Sequence, residues 1–345
     1  MSNKVRNSYL DLGKFVLACL VIFIHFVLSD KLGSVVDCFA RLAVPFFFLI
    51  SGYYSYNCDL IVLKRRLWRN TGLLVVSTFI YFVWGVWQAF RVTEVGFVNY
   101  ISGKITLLSI RQFLLFGVNP FMNHLWFLYA LVNCYLFLIL SVVVFRTKKV
   151  LYAFLGSSMV VLILLHFYLG TFMPIIQDVV IDHYYFRNGW LFGIPMFLVG
   201  LFINKWNQKR AIGVSLVRTV SGFVFVLGVL LAEWQWSQYG KIDMPIGIFF
   251  ASIALFMLLN DLPGSTNNGF NKIAIFLGQT SLWIYVVHKL VGEWIRVYST
   301  KYGFLTWVVS NDNRFPVVVM ILSVLLSFII TVLLSTFKKR KPKKT

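Results

Sequence analysis

Negative charge is scarce in this sequence. Its 345 residues hold 12 aspartates and glutamates against 32 lysines and arginines, and charged residues of both signs make up only 13%. A soluble domain carries about 25% charge, so a water-soluble globule is excluded even though the formal net charge is +20. Cysteine is sparse as well. Cys19, Cys38, Cys58 and Cys134 form no CxxC pair, which argues against a disulfide framework and a thiolate zinc site. The sequence has no Walker loop and no dinucleotide fingerprint, which argues against an ATP-driven pump. Ser51-Gly52 lacks the GxSxG elbow of a nucleophilic serine. The basic residues fall in short clusters between apolar runs, so no continuous nucleic-acid surface is expected.

What the chain has in quantity is apolar surface: 59% hydrophobic residues, 18% aromatic, and a mean hydropathy of +0.80. A membrane-crossing helix needs about 20 mostly apolar residues. Ten runs qualify, at 10–29, 37–57, 71–90, 123–145, 150–169, 188–204, 214–232, 244–260, 273–293 and 314–337. The expected fold is therefore an all-α, polytopic membrane protein with about ten transmembrane helices. The first run continues to Leu28 with no small-residue cleavage site, so it is expected to stay as a span. With the N-terminus inside, 20 of the 32 basic residues fall on inner segments and nine on outer ones. That bias places both termini in the cytoplasm. The short loops leave no room for an inserted soluble domain, and the segment 91–122 reads as one interfacial helix. The basic tail 338–345 reads as a stop signal that meets anionic lipid.

Ionisable side chains inside spans are costly and are functional candidates by default. The first span holds Asp11, Lys14 and His25. Lys14 and His25, 11 residues apart, fall within ~20° of one helix face and about 16 Å apart along it. Asp11 lies one turn before Lys14 and is placed to pair with it. His124 opens the fourth span, His288 lies in the outer third of the ninth with Glu293 close by, and Arg187 and Asn188 open the sixth. Three histidines from independent helices thus reach similar depth, which favours a site over scattered structural residues. His166 and His183 flank an outer loop and are set aside. With no HxxxH or HExxH spacing, no metal site is expected.

These residues resemble a known family. Tyr9-Leu10-Asp11-Leu12-Gly13-Lys14 followed by His25 resembles the opening helix of the acyltransferase-3 integral-membrane acyltransferases, whose signature is an arginine, ten residues, then a histidine; here Lys14 stands in the arginine's place. Val44-Pro45-Phe46-Phe47-Phe48 leading to Ser51-Gly52, His124-Leu125-Trp126-Phe127, Tyr285 to His288, and Arg187-Asn188-Gly189 are similar to further stretches of that family. The resemblance spans about residues 8–335 as one integral-membrane domain. It implies an acyltransferase that uses cytoplasmic acyl-CoA, most often acetyl-CoA, as donor substrate, with no bound cofactor. The acceptor it implies is a hydroxyl of an envelope polysaccharide or its lipid-linked precursor at a bacterial cytoplasmic membrane. On that reading Lys14, Arg41, Arg65 and Arg66 hold the donor, and His25 is the general base. His124, His288 or Arg187 orient substrate or stabilise the oxyanion, while Asp11, Asn188, Ser51 and Glu293 bind or support. The expected partners are acyl-CoA, a glycan or glycolipid and the bilayer; a homodimer is compatible with the sequence. The alternative is a transporter or flippase, to which Pro45, Pro174 and Pro195 lend only weak helix breaks. Some members resemble the membrane half of amino-acid racemases, and no soluble racemase domain is expected here.

Overall fold

A computed structural model describes residues 7–177, 179, 181–263, 265–303 and 305–340, without the side chains of 30 and 338–340. Among the described residues the fold is all helix, with no strand. In chain order the helices are α1 (Ser8–His25), α2 (Asp30–Arg41), α3 (Ala43–Tyr53), α4 (Leu60–Arg91), α5 (Phe97–Lys104) and α6 (Leu107–Phe116). They continue with α7 (Trp126–Val144), α8 (Lys148–Phe167), α9 (Met173–Ile176), α10 (Ile194–Lys209) and α11 (Val214–Tyr239). The last are α12 (Ile246–Asn260), α13 (Asn268–Tyr302), α14 (Thr306–Val309) and α15 (Arg314–Arg340). Two π-helical segments, Tyr168–Phe172 and Gly189–Gly193, continue α8 and lead into α10.

Among the described residues nine helical stretches are long and apolar enough to cross a membrane. The expected eighth span is the 15-residue α12, about 22 Å long and shorter than a ~30 Å hydrocarbon core. Several boundaries differ from expectation. α4 begins eleven residues early, so Lys64, Arg65, Arg66 and Arg69 ride on its first turns instead of a loop. Lysine and arginine are good helix formers, and apolar scoring alone stops at them. The segment 91–122 folds as two short helices, α5 and α6, with Leu107, Leu108 and Leu114 exposed. Gly117, at φ +79°, ends α6 in the left-handed region that glycine tolerates. Pro45 has no N–H to offer the Arg41 carbonyl, and α2 gives way to α3 at Leu42. α15 runs through Arg340, while Lys4, Arg6 and the tail beyond 340 lie outside the described residues.

The chain divides into two compact units, one of residues 1–43, 214–223 and 254–345, the other of 44–213 and 224–253. In the first, α1 packs along α13, α13 along α15, and α2 along α1. Asn7 caps α1 by accepting from the Tyr9 and Leu10 N–H groups at 2.9 and 3.2 Å, and its amide donates to the Leu259 and Asn260 carbonyls. Leu10, Ala18, Ile22, Ile284 and Ile295 fill the interior. In the second unit α4 packs on α7, and α10 on α8. There α3 and α10 touch backbone to backbone at Gly52 and Gly200, where any side chain would overlap the opposite helix. Phe48 sits at the centre of this unit, edge-on to Phe127 and Phe192 at 4.9 and 6.0 Å.

Candidate active site

In the first unit α1 presents its three ionisable residues in an ordered way. Asp11 is buried and forms an ion pair with Lys14 one turn on, as the helical spacing predicts. The carboxylate is seated against α13 at Gly278, where an added Cβ would lie 2.6 Å from Asp11 Oδ1. His25 is the last residue of α1. Its ring lies 5.1 Å from that of His288, centroid to centroid, with the planes 27° apart. His288 is fully buried, and its Nδ1 is 2.8 Å from the Tyr285 carbonyl and 3.2 Å from that of Ile284. Carbonyls only accept, so Nδ1–H donates, and in the neutral form of the ring the lone pair is at Nε2. Folding thus brings together two of the three expected histidines, from helices far apart in the chain. Arg41, expected to face the donor or pair with an acid, pairs with Asp37 on its own helix at 3.5 Å, both buried. Glu293 lies 3.8 Å from Arg296.

The remaining candidates belong to the second unit. His124 is buried with its ring edge-on to Tyr81 at 5.2 Å. Arg187 donates to Asp243 at 3.0 Å and lies over the Trp126 ring at 5.6 Å. Asn188 is buried and its amide is spent on the fold: Oδ1 accepts from the Trp190 and Leu191 N–H groups, and Nδ2 donates to the Tyr184 and Tyr185 carbonyls. It is therefore a structural support for the π-helical entry to α10. Ser51 donates to the Phe47 carbonyl of its own helix at 2.8 Å. Arg65 is exposed, whereas Arg66 donates to the Tyr54 carbonyl and to Ser55 Oγ, tying α4 to the end of α3.

Several residues escaped the reading of the sequence. His166, set aside because it flanks an outer loop, is a buried residue of α8, with Nδ1 3.2 Å from the Phe186 carbonyl and its ring 5.1 Å from that of Phe192. The apolar run continuing through Phe172 was the signal. His183 lies in an exposed turn, as expected; its pKa is lowered first by desolvation and then by Arg187, with Asp243 and Asp182 opposing. Asp37, Asp243 and Gly278 are partners that spacing does not reveal, apart from the i, i+4 offset of Asp37 and Arg41. Chemically, the His25–His288 stack sets two imidazoles, the side chain most often used for general acid–base work, side by side, and the Asp11–Lys14 pair holds a cation on the same helix.

Comparison with known proteins adds three findings. The model of the acyltransferase-3 family, described as an acyltransferase domain, matches residues 7–336. The chain is 26% identical over 345 residues to a serine/alanine racemase of Enterococcus gallinarum, covering 93% of this chain and 45% of that protein. It is 24% identical over 370 residues to an amino-acid racemase of Enterococcus faecalis, covering 100% of this chain and 48% of that one. The chain therefore spans about half the length of the curated relatives it matches. No solved structure matches it.

Proposed function

This chain belongs to the acyltransferase-3 family, and from that premise we propose that it is a membrane-bound O-acyltransferase that moves an acetyl group from acetyl-CoA to a hydroxyl of an envelope polysaccharide or its lipid-linked precursor. The observation that carries the proposal is the His25–His288 stack at 5.1 Å at one end of α1, with the Asp11–Lys14 pair eleven residues away on the same helix. Acyl transfer from a nucleotide thioester to a sugar needs a base at the hydroxyl and positive charge for the donor's phosphates. α1 carries both.

In this reading His25 accepts the hydroxyl proton as the acceptor oxygen bonds to the thioester carbon. The C–S bond then breaks, the coenzyme A thiolate leaves, and the proton is returned to it, so no net proton is consumed. His288, anchored through Nδ1 to two carbonyls, fixes the ring that His25 stacks on. Lys14 supplies charge where the family arginine would, without its bidentate fork. The enzyme resides in the cytoplasmic membrane with both termini inside. The racemase names of its relatives attach to proteins about twice the matched length and are not carried over.

The test is transfer of label from radiolabelled acetyl-CoA by membranes containing the protein, beside a His25→Ala variant at equal abundance. Label on envelope glycan from the wild type alone is the expected result. Label from both proteins would keep the enzyme and remove His25 as base. Silence in both, across several acyl donors, would refute acyl transfer and bring transport of a lipid-linked sugar or small polar solute forward.

A further inference from the structure

α13 carries a cation that no neighbour neutralises by contact. Lys289 follows His288 inside a span, where a charge is costly, and it is only half exposed at most. Among the described residues its ammonium makes no hydrogen bond and no ion pair at contact distance; it lies over the Phe26 ring, 5.2 Å from the centroid. Two helical turns further on, Arg296 reaches the same ring at 5.4 Å and Phe315 at 5.0 Å. Phe26 directly follows His25 and is seated against Gly292, where any side chain would overlap its ring. The acid on this face, Glu293, stands 3.8 Å from Arg296, beyond hydrogen-bond length. Two cations and one carboxylate, which pairs with Arg296 at 3.8 Å and also attracts Lys289, therefore surround a phenyl ring that adjoins the histidine stack.

An aromatic face does not occupy an ammonium's three donors. A lysine point charge beside an arginine fork is the pairing that suits a phosphate. We propose that Lys289 and Arg296 form an anion subsite beside the His25–His288 pair that holds a phosphate or phosphodiester group. If the acyl-transfer reading holds, the phosphate belongs to the acceptor, which makes the acceptor a phosphate-bearing polymer or precursor. A phospholipid headgroup offers the same chemistry.

The test needs no turnover. The full chain in phosphatidylcholine nanodiscs is titrated with a fluorescent poly(glycerol phosphate) oligomer and with a neutral dextran oligomer of equal length. The wild type is expected to bind the anionic oligomer and not dextran. Lys289→Gln and Arg296→Gln should each weaken binding about tenfold, the scale of one charge-assisted contact, while Lys289→Arg retains it and reports a folded protein. Equal affinity in the wild type and both glutamine variants overturns the subsite. So does dextran binding as tight as the anion's, or no binding of the oligomer by the wild type. Discs containing phosphatidylglycerol separate the sources: loss of oligomer binding there assigns the subsite to a headgroup, and unchanged binding assigns it to the acceptor. A protein that transfers label but ignores these substitutions refutes the subsite alone. One that binds through Lys289 but transfers no label refutes acyl transfer alone.

Discussion

Gly278 is where a single missing side chain decides the position of a charge. Asp11 is buried with only 3% of its surface exposed, and its carboxylate occupies the space a Cβ at 278 would fill. Gly278→Ala must therefore push Asp11 aside, together with the Lys14 it holds. Overpacking of this kind costs about 1–3 kcal/mol, readable as a lower midpoint of thermal unfolding in detergent. The mechanism makes a sharper prediction. Once Asp11 is replaced by alanine, the added methyl has less to displace, so the double variant should be less destabilised than the two single losses combined. Strict additivity would mean that the residues do not share the space. The i, i+3 pairing of Asp11 with Lys14 was legible in the sequence, because helix geometry alone sets it. The seat at Gly278 was not, since it depends on which face of α13 meets α1.

At the scale of elements, the entry to α10 departs most from regular helix. Gly189–Gly193 is π-helical, and Asn188 satisfies two N–H groups ahead of it and two carbonyls behind it, all through one buried amide. Losing an ordinary N-cap costs about 1 kcal/mol. Asn188→Ala should cost more, because it strands buried backbone groups on both sides. Asn188→Asp keeps the acceptor and loses the donors, so it should fall between alanine and wild type. Unfolding midpoints of the three purified proteins check the order; an unchanged midpoint for alanine would show that the cap is dispensable. A polar residue opening an apolar run reads in sequence as either a cap or a ligand. Only the four bonds of Asn188 decide between them. The opposite error occurred at His166, set aside with the outer loop it flanks although it lies within the 150–169 run and is a buried residue of α8.

For the whole molecule, the distribution of lysine and arginine makes a prediction about orientation that the helices by themselves do not. In a background free of the four native cysteines, Lys104→Cys should react with an impermeant maleimide from outside intact cells. Lys209→Cys should react only after the membrane is opened. The reverse pattern would invert the assignment.

What the sequence determined by itself was the class of protein and most of its helices. A backbone in lipid must satisfy its own hydrogen bonds, and long apolar runs with few charges can do so only as helices, so composition and run length suffice. The first-helix spacing of Asp11, Lys14 and His25 was determined in the same local way. Tertiary structure decided the rest: that His25 meets His288, that Arg41 is taken by Asp37 and Arg66 by the end of α3, and that Lys289 is left facing a phenyl ring. Such meetings depend on the rotation and depth at which helices pack. Those are set by small residues such as Gly278 and Gly292, whose absent side chains give a hydropathy pattern nothing to register.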